Sequence, residues 1–173
     1  MNFLKESDQL SRDQNTRILI FMLTSDSLHI SILVNASPHD VYAIARDVEY
    51  FPQWATGLSA GKVEVINDDA VVLYTPMGQA RTEFVPRNES GVLDHTVTLS
   101  DGIRSYNPLR VTPHPYGSEL TFTVMRLDST EAEFERDCVL VREDLHRLAL
   151  LVEAIAGQSQ LFLAHDERAG DWF

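Results

Sequence analysis

The chain has 173 residues, a length that fits one domain, and its 44% hydrophobic and 23% charged residues are an ordinary globular composition with enough apolar side chains for a sizeable core. A formal net charge of −12, with no Lys/Arg cluster to override it, argues against nucleic acid and anionic lipid surfaces as partners. The single cysteine, Cys138, excludes an internal disulfide and fits a reducing compartment such as the cytoplasm, and the six histidines show no metal-type spacing, so neither metal nor cofactor is expected.

The apolar run "RILIFML" is far shorter than the ~20 residues a membrane-spanning helix needs. The segment before it mixes acids with bases, and no small-residue cleavage site follows, so a secretory signal is not expected. Residues 1–26 read as a disordered leader, with an extra strand or short helix as a variant of that reading. The other reading is a start placed too early, with Met22 rather than Met1 as the first residue.

"SLHISILVN" alternates, with Leu28, Ile30, Ile32 and Val34 on one face, and predicts a strand. Ser37 then fits a helix N-cap and Pro38 the first helical position, before a stripe of Val41, Ile44, Ala45 and Val48. "EYFPQWATGL" predicts a second short helix, interrupted near Pro52. From Ser59 to Leu127 six further strands are expected: "GKVEVIND", "AVVLYTPM", "QARTEFVP", "VLDHTVTL", "IRSYNPLRV" and "SELTFTVMRL". In the third of these, Ala80, Thr82 and Phe84 share one face, and Arg81 and Glu83 face solvent.

A long helix follows. Thr130 and Glu133 fit a capping box, and the acids of its first turn suit the helix dipole. Phe134, Cys138, Val141, Leu145, Leu148, Val152 and Ile155 form one continuous stripe, and Gly157 is the expected stop. That makes roughly 27 residues spanning about 40 Å. The remainder, 158–173, reads as a tail whose Trp172 and Phe173 have no evident dock. One seven-stranded antiparallel sheet wrapped around one long helix, with two short helices after the first strand, leaves a space between sheet and helix that can form a cavity. Residues 27–157 are then a single α+β ligand-binding domain.

This plan and several motifs resemble the START-like superfamily, also called SRPBCC: the helix-grip fold of polyketide cyclases, lipid-transfer domains and birch-pollen allergens. The carriers are "ILVNASPHDVYAIARDVEYFPQW", with Ser37-Pro38, Asp47 and Phe51-Pro52-Gln53-Trp54. "RNESGVLDHTVTLSDG", "NPLRVTPH", "GSELTFTVMR" and "FERDCVLVREDLHRLALLVE" look like a small bacterial branch of it. The resemblance covers about residues 28–156. It implies the fold, and it implies binding or transformation of an apolar molecule, because members differ widely in chemistry. No catalytic set of the polyketide cyclases maps onto this chain.

In "GVLDHTVTLSDG", His95 shares a face with Leu93, Val97 and Leu99. A two-residue loop after it would set His95 against Pro108 and turn Arg104 and Arg110 inward. A three-residue loop, Ser100-Asp101-Gly102, pairs Leu99 with Ile103, Val97 with Ser105, His95 with Asn107 and Leu93 with Leu109. Only the second register keeps every inward position apolar or neutral and both arginines outside, so it is preferred. Pro108 is then a bulge candidate. His95, Asn107 and Ser105 form a neutral polar cluster on an apolar wall, and burying such groups unpaired costs about 1–3 kcal/mol each. Three readings follow: a closed His95–Asn107 pair without function, a pair that orients a ligand carbonyl or hydroxyl, or His95 as an acid-base catalyst near neutral pH.

Cys138 with His95 and Asn107 makes a conceivable thiol-imidazole-amide set, against the plainer reading of a buried apolar filler. Arg126 has the parity of Leu120, Phe122 and Val124 and either holds a ligand carboxylate or bridges Asp128 or Glu131. Trp54, Tyr74, Phe84, Phe122 and Phe134 are pocket-wall candidates, with plain core packing as the alternative. The expectation is binding or carriage of a small, mostly apolar ligand, lipid-, polyketide- or aromatic-like, by a monomer or homodimer without stable membrane insertion. The alternatives are a cyclase-, dehydratase- or hydrolase-like enzyme and a protein-interaction domain.

Overall fold

A computed structural model of the protein describes residues 26–55, 62–75 and 78–169, with the backbone alone for 159–169. The expected leader up to residue 25, both candidate start residues (Met1 and Met22), and Trp172 and Phe173 lie outside the described residues. In chain order come β1 (Ser27–Val34), α1 (Pro38–Arg46), α2 (Phe51–Trp54), β2 (Val63–Asn67), β3 (Ala70–Thr75), β4 (Gly78–Phe84), β5 (His95–Leu99), β6 (Arg104–Asn107), β7 (Leu109–His114), β8 (Gly117–Met125) and α3 (Glu131–Ala169).

The caps form as their residue types require. Ser37 Oγ accepts from the Asp40 amide at 3.1 Å, and Pro38 opens α1. At α3 the Glu133 amide donates to Thr130 Oγ1 at 3.3 Å, and the Thr130 amide donates to Glu133 Oε2 at 2.8 Å, the reciprocal capping box. The Thr130 hydroxyl, which donates to the same Glu133 Oε2 at 2.7 Å, and the Thr130 amide hold the Glu133 carboxyl below the usual carboxylate range.

Among the described residues, the expected single seven-stranded sheet is corrected to eight strands in two antiparallel sheets, ordered β1–β8–β7 and β2–β3–β4–β5–β6. The reason is Pro108. It lies between β6 and β7 and has no amide hydrogen for a ladder, so "IRSYNPLRV" becomes two strands. The two sheets stay seamed along residues 91–93. Leu93 donates to the Leu109 carbonyl at 2.9 Å, Val111 to the Gly91 carbonyl at 2.8 Å, and Val92 bridges Arg110. The register of the preceding hairpin is the three-residue solution: His95 opposes Asn107, Val97 opposes Ser105, and Gly102 takes φ +89°.

The long helix also runs further than expected. It passes through Gly157 to Ala169, 39 residues in all, because Gly157 stays in helical conformation and caps nothing.

Two apolar clusters form. In the larger, Val34, Val41, Leu93, Leu120, Leu145, Leu148 and Val152 are sealed between α3, α1 and the β1–β8–β7 sheet. Each such side chain contributes on the order of 1.5–3 kcal/mol. In the smaller, Phe51 of α2 packs on Val71, Leu73, Ala80 and Val97 of the five-stranded sheet. The helix α3 packs mainly on β1, β8, α1 and α2. The five-stranded sheet packs little against it, and between the two lies a cavity.

Candidate functional site

The cavity has a volume of about 400 Å³ and lies between β5–β6, β8, the end of α2 and one flank of α3. Leu109 and Leu145 are sealed at its inner end, and Ile103 and Leu140 are exposed at its mouth. Its size is that of a small-molecule site, and its wall is mostly apolar with a few polar groups.

His95 is the most enclosed of those polar groups, 8% exposed, on the wall between Phe84 (ring centroids 5.0 Å apart) and Phe122 (6.3 Å). Its orientation comes from the seam between the sheets. In a regular antiparallel ladder Leu93 and Leu109 would exchange two backbone hydrogen bonds. Only one forms. The Leu109 amide donates instead to Asp94 Oδ1 at 3.0 Å, and the Leu93 carbonyl accepts from His95 Nδ1 at 3.0 Å. A carbonyl oxygen only accepts, so Nδ1 carries the hydrogen. Nε2 then holds a lone pair and has no hydrogen-bond partner among the described residues. Burial pushes the imidazole pKa below its ordinary value, the Leu93 carbonyl opposes that shift, and the Arg46 charge adds to it. The ring is a neutral acceptor.

Asn107 and Ser105 line the cavity beside it. The expected closed pair of His95 and Asn107 is not made. Asn107 Oδ1 accepts from Ser105 Oγ at 3.2 Å, and His95 bonds to its own strand. Trp54 and Phe122 also line the cavity, and Trp54 Nε1 is a buried donor with no partner among the described residues.

Five other expected site residues are placed elsewhere. Phe84 stands behind His95, with the Arg46 guanidinium 4.3 Å from its ring centroid. Tyr74 alternates with the inward Val71 and Leu73, so its hydroxyl turns away and donates to Glu64 at 2.9 Å. Arg126 pairs with Glu131 at 2.8 Å and Asp26 at 3.2 Å, the bridging alternative rather than a ligand contact. Phe134 and Cys138 belong to the large core cluster, where burial pushes the thiol pKa up. Cys138 does not line the cavity that His95 and Asn107 share, so the thiol-imidazole-amide set is not assembled. The helix stripe over residues 134–155 meets the cavity only in part. Its centre faces the three-stranded sheet, and the cavity sees the flank bearing Asp137, Leu140, Val141, Asp144 and Leu145.

Sequence reasoning missed several residues that shape the site. Asp94, 3% exposed, also accepts from Tyr106 Oη at 2.5 Å and pairs with Arg110. Arg46, 2% exposed, ties the end of α1 to the β2–β3 turn through the Asp68 carbonyl and Asp69, both at 2.8 Å. Asn88 folds the loop before β5 onto itself, bonding the Pro86 and Val92 carbonyls and the Ser90 and Val92 amides. The only local hint was composition, since Asn is a residue that bonds its own backbone in turns. Asp137 and Asp144 carry no sequence signal that would place them at a cavity.

Among the described residues no group of His, Cys, Asp and Glu could hold a metal, and no helix is long and apolar enough to cross a membrane. No protein-family model matches the chain, and no curated protein matches it. Solved structures do. Protein CV1439 from Chromobacterium violaceum is 16% identical, with a TM-score of 0.56 over 74% of this chain and 98% of that one. Ara h 8.0201, of the Bet v 1-like helix-grip fold, is 11% identical, with a TM-score of 0.58 over 76% and 99%. DynU16, described as a putative protein in the dynemicin biosynthetic locus, is 14% identical, with a TM-score of 0.61 over 75% of this chain and 48% of its own. At such identities the likeness is one of fold. The chain has a mixed α+β, helix-grip-like architecture.

Proposed function

We propose that this protein is a START-like binding module that takes up and carries a small, mostly apolar molecule in the cavity between its five-stranded sheet and α3. The observation that carries this reading is the His95 ring. It is held by one nitrogen and offers the other, unpartnered, on an apolar wall. An unsatisfied acceptor there costs about 1–3 kcal/mol unless a ligand or water supplies a donor. Asn107, Ser105 and Phe122 complete the contacts proposed for the ligand. The buried thiol of Cys138 and the absence of any other cysteine support a reducing compartment such as the cytoplasm.

The neutral imidazole also favours a second reading, His95 as a general base. Binding is the better supported. Asp94, the carboxylate next to His95 in sequence, is committed to the Leu109 amide, Tyr106 and Arg110, and Nδ1 rests on a carbonyl rather than a carboxylate. No acid therefore orients the ring or stabilises its cation. The occurrence of DynU16 in a biosynthetic locus leaves a role beside an enzyme as natural as a role as one.

The test is native mass spectrometry of the purified full chain, with solvent extraction and displacement of a neutral fluorescent probe. A bound species, or saturable one-to-one displacement lost in His95→Phe, is expected. An empty protein that takes up no probe overturns the proposal.

A further inference from the structure

Resting on the carriage reading, we propose that the cavity selects uncharged or cationic amphiphiles bearing a hydrogen-bond donor and rejects carboxylates. The inner anchor, His95 Nε2, presents a lone pair, because Nδ1–H is spent on the Leu93 carbonyl. A hydroxyl or N–H satisfies that atom. An ionised carboxylate has no hydrogen to give and meets lone pair with negative charge. The wall contains two carboxylates, Asp137 and Asp144, and no lysine or arginine; the cation whose charge reaches His95, Arg46, stands over Phe84 outside the lining and is paired with Asp69.

The two acids differ. Asp144 is occupied by Arg147, which also reaches Glu143 at 3.8 Å and the Trp54 carbonyl at 3.3 Å. Asp137 is exposed at the mouth and takes part in no hydrogen bond or ion pair among the described residues. The nearby cation on β6, Arg104, belongs to the strand face opposite Ser105 and does not line the cavity. Residues 56–61, which follow the lining residue Ala55, are "TGLSAG" and carry no charge in sequence. A ligand entering from water therefore passes a free carboxylate and ends at a lone pair, in a protein of net charge −12. A carboxylate desolvated against the His95 lone pair inside the apolar cavity is strongly disfavoured, and at the exposed mouth Asp137 adds a weaker, water-screened repulsion. An ammonium at the mouth gains the same interaction with the opposite sign. The volume, about 400 Å³, equals roughly thirteen liquid-water volumes, which suits a ten-carbon chain with one polar end.

The experiment compares decanol, decylamine and decanoic acid at neutral pH, each displacing N-phenyl-naphthylamine from the full chain. Decanol and decylamine are expected to compete, and decanoate to bind at least about tenfold more weakly than decanol. Asp137→Asn is expected to narrow the gap between decylamine and decanoate severalfold, by weakening the first and strengthening the second. Decanoate equal to or tighter than decanol overturns the selectivity and leaves carriage standing. Failure of all three to displace a probe that does bind also overturns it, since the neutral and cationic ligands would then be refused. A protein that binds neither probe nor ligand brings down the carriage reading with it.

Discussion

Asp94 and His95, neighbours on one strand, divide between them a single interrupted backbone hydrogen bond: Asp94 accepts from the Leu109 amide, and His95 donates to the Leu93 carbonyl. The amide and the carbonyl would have bonded each other in an unbroken ladder. The kink at Pro108 separates them, and two adjacent side chains, pointing to opposite faces, replace what was lost. One consequence is structural and the other functional, because the same break that needs Asp94 also fixes the ring of His95 toward the cavity.

Asp94→Ala is accordingly expected to destabilise the protein by about 2–4 kcal/mol, since it strands a buried amide and removes the partner of Tyr106 and Arg110. Asp94→Asn keeps a carbonyl oxygen for the Leu109 amide and is expected to cost less than half as much. Urea melts of both variants decide this. Equal losses would mean that the Arg110 ion pair, not the amide, is what Asp94 serves.

His95 and Asn107 face each other across β5 and β6 yet bond separately. A double-mutant cycle of His95→Phe and Asn107→Ala in the ligand-free protein is therefore expected to show a coupling below about 0.5 kcal/mol, as for independent sites. Repeated with a bound ligand that touches both, the coupling should exceed that value. A large coupling without ligand would restore the closed pair.

The buried imidazole also sets a pH dependence. Its folded pKa lies below the unfolded value, so the unfolded chain binds the proton first as pH falls. The contribution of neutral His95 is complete above the unfolded histidine pKa near 6.5 and is lost as pH drops below it toward the folded pKa. For one proton the slope reaches at most about 1.4 kcal/mol per pH unit. Chemical denaturation at pH 7 and pH 5 is expected to show a larger loss for the native protein than for His95→Gln. Equal losses would place a charged imidazole in the folded state.

How far these features were legible depended on whether they were local. The Ser37 cap, the Thr130–Glu133 box and the His95–Asn107 register each follow from residue type, or from alternation over a few positions, and short-range rules settle them. The broken ladder does not. Pro108 was visible as an irregularity, but that it would divide the sheet, and that Asp94 would turn inward to the seam, depends on where β7 lies relative to residues 91–93. The cavity's helix wall is not legible for a related reason. A 3.6-residue stripe names the apolar face, but which flank of that face meets which sheet is a packing angle that periodicity does not carry. Aromatic character alone makes Tyr74 a wall candidate, whereas its alternation with Val71 and Leu73 turns it outward.

Gly157 and Gly91 make a paired test of two backbone readings. Gly157 lies inside α3, is exposed, and has open space where a Cβ would sit. Gly157→Ala is expected to stabilise the protein by about 0.5–1 kcal/mol, the helix-propensity difference of the two residues. Had the helix ended there with glycine in the left-handed conformation, the same change would be destabilising. Gly91 does hold a positive φ, +70°, and a Cβ there would lie 2.1 Å from the Val111 carbonyl oxygen. Gly91→Ala is expected to cost more than about 2 kcal/mol, from the left-handed penalty together with displacement of the seam that joins the two sheets. Thermal melts of the two alanine variants should therefore move in opposite directions. A drop for Gly157→Ala would end the helix at the earlier position and return the last residues to a separate tail.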